Sequence, residues 1–132
     1  MANIKIIDDD EEIAVNLSLV LQKAGHKVSI RDNTEGAVQE LVKERPDLLI
    51  LDVMFPENPA GGFDLAREIR KVEELESLPI ILLTAINQEL PGDFSAKDLD
   101  KEWMPAEDFV EKPVEIPEFI EKVNRLLLTA GK

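Results

Sequence analysis

Five side chains that can handle a phosphoryl group or a metal ion each stand where an apolar run ends. Asp8 and Asp9 follow Ile4, Ile6 and Ile7, Asp52 closes the unbroken run from Leu48 to Leu51, Thr84 follows Ile80 to Leu83, and Lys112 stands just past Phe109 and Val110. Three carboxylates brought together without a counter-ion repel one another, and a divalent cation resolves that conflict. Oxygen donors with neither His nor Cys beside them select a hard ion, and magnesium in particular tolerates a few carboxylates while keeping several waters. Such an ion leaves a position open for a phosphoryl oxygen, whose developing charge it stabilises during transfer. Asp52 is then the natural nucleophile, a carboxylate able to attack phosphorus and form an aspartyl phosphate. Asp8 and Asp9, with Asp52 itself, would hold the metal. Lys112 brings a compact ammonium for Asp52 and later for a phosphoryl oxygen, and Thr84 a hydroxyl donor for another oxygen.

Each residue also has a plainer role. Acids from Asp8 to Glu12 suit the positive end of a helix dipole. Asp52 alone could open a loop, Thr84 suits a strand-end turn, and Lys112 before Pro113 suits an exposed loop. Singly, the plain roles outweigh the functional ones; the conjunction of all five reverses that weighting.

The conjunction requires strands that end side by side. Asn3 to Ile7 reads as a buried strand. Ile13, Leu17, Val20, Leu21 and Ala24 then recur at helical spacing, with Glu11 and Glu12 in the first turn and Gly25 at the end. Lys27 to Arg31 alternates as a second strand, and Thr34 to Lys43 offers Ala37, Val38, Leu41 and Val42 as a second helix face, stopped by Pro46. Leu48 to Leu51 has the pattern of a central strand covered on both faces, repeated from Pro79 to Leu83. Helix three is expected from Phe63 to Val72, a very short fifth strand at Phe109 and Val110, and a last helix on the stripe of Ile116, Phe119, Ile120, Val123 and Leu127. Between Asn87 and Glu107 the apolar residues keep no sustained period, and the segment reads as mostly loop with one short helix. Strands alternating with helices give an α/β fold, a parallel sheet with helices on both faces and its ligand site beyond the C-terminal strand ends.

The 132 residues suit one domain, taken here as residues 1–132. Without cysteine there is no disulfide framework, thiolate site or cysteine nucleophile. The N-terminus lacks the basic and apolar segments of a signal peptide, and no apolar run nears the roughly 20 residues that span a bilayer, so a cytoplasmic address is expected. A formal net charge of −13 disfavours direct contact with nucleic acid or anionic membranes. His26, in the connection to the second strand, reads as a surface residue.

Four segments, in order, resemble the receiver domains of two-component response regulators over essentially the whole chain. Ile4 to Asp10 is similar to the family's opening strand and acidic pair. Pro46 to Pro56 is similar to its phosphoacceptor segment, including the proline four residues after the aspartate. Pro79 to Ala85 resembles the strand carrying the switch Ser/Thr, and Asp108 to Pro113 the Lys-Pro strand. The resemblance implies a doubly wound five-stranded sheet of order 2-1-3-4-5, here with the helix between the fourth and fifth strands short or irregular. It implies Asp52 as phosphoacceptor, Asp8 and Asp9 as metal-side acids for Mg2+, and Thr84 with Phe109 as the switch pair. The implied partners are a sensor histidine kinase or phosphotransfer protein upstream and a protein target downstream. Catalysis would be limited to autocatalytic phosphotransfer and slow autodephosphorylation, so no turnover enzyme is expected.

The loop from Glu57 to Gly62 is a couple of residues longer than the family's usual connection, and the interval from Thr84 to Lys112 is several residues longer. One rival is a pseudo-receiver, a binding module that keeps the fold without phosphorylation. A second is a magnesium-dependent phosphohydrolase with an aspartate nucleophile. The haloacid-dehalogenase pattern for the latter wants an acid two residues after the nucleophile, where Met54 stands.

Overall fold

Strand alternation sorts the apolar residues onto two faces of one sheet. In the computed structural model, which describes residues 2–53, 61–85, 108–112 and 114–130, the strands are β1 (Asn3–Ile7), β2 (Lys27–Arg31), β3 (Leu48–Asp52), β4 (Ile80–Ala85) and β5 (Asp108–Lys112). All neighbours pair in parallel, in the order β2-β1-β3-β4-β5. Ile4, Ile6, Leu48, Ile50, Ile81, Leu83 and Val110 point to one face, and Ile7, Leu49, Leu51, Ile80 and Leu82 to the other. Leu48, Leu49, Ile50 and Leu51 are each fully buried, which is why this run is continuous rather than alternating.

Helices cover both faces. Helix α1 (Glu11–Lys23) and the C-terminal helix α4 (Ile116–Ala130) seal the first, through Ala14, Leu17 and Leu21 and through Phe119 and Val123. Helices α2 (Ala37–Lys43) and α3 (Gly61–Arg70) seal the second, through Ala37 and Leu41 and through Leu65, Ala66 and Ile69. Each such Leu, Ile, Val or Phe side chain, taken from water to full burial, contributes about 1.5–3 kcal/mol before entropy is counted. The α/β architecture with a helix-flanked parallel sheet is thus the one expected.

The ends of the helices show where local chemistry sets boundaries. Gly25, at φ 95°, ends α1, and the N–H groups of Gly25 and His26 reach back to the carbonyls of Gln22 and Leu21. Helix α2 starts three residues later than the apolar spacing from Thr34 suggests. Gly36 is left-handed at φ 70°, and the Arg31 guanidinium takes the carbonyls of Asn33 and Glu35, so this stretch is held as a loop. Helix α3 begins at Gly61 and stops at Arg70, two residues ahead of the expected span at both ends. There Arg70 donates to the carbonyls of Glu76 and Leu78, at 3.1 and 2.6 Å, and holds the 3-10 turn Glu73–Leu75 beneath β4. Strand β5 is longer than the Phe109–Val110 pair expected. The long connection expected from Glu57 and the mostly loop segment with one short helix expected between Asn87 and Glu107 fall on residues 54–60 and 86–107, which lie outside the described residues.

His26 is half-buried rather than a free surface residue. Its Nδ1 accepts the Ala2 N–H at 3.2 Å and anchors the start of β1.

Candidate metal centre

The sheet register brings the candidate residues to one edge. Ile7 is level with Leu51, so Asp8 and Asp52, each one residue further on, emerge side by side where β1 and β3 end. Asp52 is level with Leu83, Thr84 with Glu111, and Ala85 with Lys112. The backbone therefore sets Thr84 one residue beyond the level of Asp52, and Lys112 one residue beyond Thr84, along the same C-terminal rim. Phe109 is level with Leu82, deeper in the sheet.

Each acid is placed by a specific restraint. The Asp8 N–H donates to the Arg31 carbonyl at 3.0 Å, extending the β1–β2 ladder past the last strand residue. Asp8 Oδ1 accepts the Asp10 N–H at 2.9 Å, which fixes the rotamer and leaves Oδ2 buried on the other side. Asp10 caps α1, its Oδ1 accepting the Ile13 N–H at 3.2 Å, and Glu11 and Glu12 occupy the first turn. The plain capping role thus belongs to Asp10, Glu11 and Glu12, while Asp8 and Asp9 turn elsewhere. Past Asp52, the Val53 N–H donates to the Leu83 carbonyl at 3.1 Å, holding the end of β3 against β4.

Asp8, Asp9 and Asp52 each offer a carboxylate oxygen, and the three oxygens lie within 4.8 Å of one another. Asp8 is 0% and Asp52 6% exposed, whereas Asp9 faces solvent. Like charges so close, two of them buried, favour a cation among them. An all-oxygen donor set without His or Cys fits a hard divalent ion, and the exposed third member leaves an approach from solvent. The cluster is capable of coordinating a divalent cation.

Two other features lie apart from the acids. A cavity of about 430 Å3 opens at the opposite end of β1 and β2, against α2, and includes none of the three. On the α2 side of β1, Lys5 and Arg31 both pair with Glu40, at 3.1 and 3.0 Å. Burial opposes the charged form of Glu40, yet the hydrogen bond and charge of Lys5, joined by Arg31, hold its carboxyl below the ordinary value of 4.5. Sequence reading passes over this trio. A lysine inside an apolar strand, at Lys5, was the available signal.

Comparison with known proteins agrees with this geometry. Residues 4–124 match the model of the response regulator receiver domain. Protein PilH of Pseudomonas aeruginosa is 30% identical over 130 residues, covering 96% of this chain and 98% of PilH. The transcriptional regulatory protein AfsQ1 of Streptomyces coelicolor is 36% identical over 115 residues, covering 87% of this chain but only 46% of AfsQ1. The chain thus spans about half the length of that regulator and nearly all of PilH. Among solved structures, the signal receiver domain of a signal transduction histidine kinase from Syntrophus aciditrophicus superposes with a TM-score of 0.79 at 30% identity, covering 98% of this chain and 92% of that one. A protein from Chloroflexus aurantiacus, taken to be a response regulator, gives 0.81 at 36% identity, with 96% and 98% covered. No helix among the described residues is long and apolar enough to cross a membrane. By sequence, fold and the acids at its strand ends, the chain belongs to the response regulator receiver domain family, signalling modules of two-component systems rather than turnover enzymes.

Proposed function

We propose that residues 1–132 form one cytoplasmic receiver domain, a doubly wound five-stranded unit that accepts a phosphoryl group on Asp52 in a Mg2+-dependent reaction. The observation that carries this reading is the gathering of Asp8, Asp9 and Asp52 within 4.8 Å at the C-terminal rim of a receiver fold. The donor is a phosphohistidine on a sensor histidine kinase or phosphotransfer protein. An Asp52 carboxylate oxygen attacks phosphorus, the P–N bond to the donor imidazole breaks, and an acyl phosphate remains on β3. Asp8, Asp9 and Asp52 would hold the magnesium ion, which when bound neutralises charge developing on the phosphoryl oxygens. Lys112 answers the same charge with its ammonium, and Thr84 donates its hydroxyl to a phosphoryl oxygen.

Phosphorylation adds about −1.5 to −2 charge beside acids that already repel one another. Movement of Thr84 toward that charge, with reorientation of Phe109, biases a two-state surface read by a downstream protein. A swing from 1:99 to 99:1 would need about 5.5 kcal/mol of differential stabilisation. Borohydride trapping tests the assignment. After treatment with a phosphodonor and Mg2+, reductive cleavage of an acyl phosphate at Asp52 leaves homoserine at that position in the peptide map. Reduction at another acid, or at none, overturns it.

A further inference from the structure

The start of α3 lies against the backbone of the residue that carries the proposed chemistry. The Gly62 N–H donates to the Val53 carbonyl at 2.8 Å, tying the first turn of α3 to the chain just past Asp52. A Cβ built on Gly62 would stand 2.0 Å from the Asp52 carbonyl oxygen, 2.6 Å from Val53 Cα and 2.8 Å from the Asp52 carbonyl carbon. All three are backbone atoms, so no side-chain rotation relieves the clash. Among the described residues the glycines with positive φ are Gly25 and Gly36, and Gly62 is not one of them. Its backbone would accept an L-residue, and the need for glycine comes from the contact alone.

We propose that Gly62 is a positioning residue for Asp52: its missing side chain lets α3 seat directly on the Asp52 and Val53 backbone, and that seat sets where the Asp52 carboxylate stands relative to Asp8 and Asp9. This inference rests on the reading of Asp52 as phosphoacceptor and metal ligand. Separations below 3.0 Å are essentially not tolerated at a Cβ, so opening the 2.0 Å approach requires a shift of about 1 Å or more between α3 and the end of β3. The β3 side of that contact carries a metal-side acid, whereas Asp8 is held separately by Arg31 and Asp10. The two halves of the acidic cluster would therefore move apart. A displacement near 1 Å at a reacting group can lower a rate by about 100-fold.

The test compares the wild type with Gly62→Ala and with Leu21→Ala, a cavity variant buried on the opposite sheet face. All three are kept folded with trimethylamine N-oxide, which strengthens burial, and folding is verified by circular dichroism. Calorimetric titration with Mg2+ alone is read beside the rate of acetyl phosphate labelling at saturating Mg2+. The expected result is weaker Mg2+ binding and labelling about 100-fold slower in Gly62→Ala, with both quantities retained by Leu21→Ala. Wild-type values in folded Gly62→Ala, or equal losses in both variants, would overturn the positioning role. A wild type that neither binds Mg2+ nor labels would instead show that the underlying phosphoacceptor reading has failed.

Discussion

Replacing Asp8 by Asn removes one charge from the acidic cluster while keeping an oxygen to accept the Asp10 N–H, now made at 2.9 Å. The Asp8 and Asp52 oxygens lie within 4.8 Å of one another, and both residues are buried. At that separation and an effective dielectric constant of about 20, two unit negative charges repel by about 3.5 kcal/mol. With roughly half of this offset by surrounding dipoles and counter-charges, relief amounts to ~2 kcal/mol. For 132 residues, an unfolding entropy of about 2.1 cal/mol/K per residue converts this to a rise of about 7 °C in metal-free Tm. The response to metal should move the other way. The wild type at Mg2+ concentrations about 100-fold above Kd gains about 2.7 kcal/mol, or ~10 °C, while Asp8→Asn should show only a small part of that shift. Scanning calorimetry with chelator and with a magnesium series measures both effects. A lower metal-free Tm in Asp8→Asn, or a magnesium shift equal to that of the wild type, would refute the electrostatic reasoning.

Glu40→Gln should cost about 1–2 kcal/mol at neutral pH, because it removes the carboxylate from Lys5, whose side chain is only 11% exposed. Since the folded carboxyl titrates below its ordinary value of 4.5, its contribution is present above that pH and lost as pH falls through the lower folded value. The gap between variant and wild type in urea titrations should therefore narrow as the pH falls below 4.5, and a gap independent of pH would contradict the ion-pair account. Phe119→Ala empties a fully buried site between α4 and the sheet and should lower stability by about 3–5 kcal/mol in the same assay. A loss below 1 kcal/mol would show that α4 is not seated as described.

Most of the architecture was legible because covered strands and striped helices leave strong periodic signals. Leu48 to Leu51 could be little else than a central strand, and Leu17 and Leu21 of the expected stripe reach the core, joined by Ala14, while Ala24 at the helix end is exposed. Boundaries were less legible where a distant side chain decides them. Nothing local in Thr34 to Gly36 announces that Arg31 will claim the carbonyls of Asn33 and Glu35 and delay α2. The edge strand β2 was readable as a strand, but Ile30 is 40% exposed and gives little of the burial its type suggests. At the site, Asp8, Asp9 and Asp52 were visible as acids at strand ends, and the register shows why they meet. The division of labour within Asp8 to Glu12 needed coordinates, since the capping role goes to Asp10 by way of the Ile13 N–H. The steric demand at Gly62 was likewise hidden, because a glycine in a loop sequence does not reveal which backbone it will touch.

The central claim, that Asp52 takes a phosphoryl group with the help of a metal held by the neighbouring acids, is tested most directly by intact mass. The wild type, Asp52→Asn and a chelated wild-type sample are each incubated with acetyl phosphate. The account predicts one phosphoryl adduct on the wild type with Mg2+ and none in either control. No adduct on a folded wild type with Mg2+, or an adduct that persists in Asp52→Asn, would contradict it.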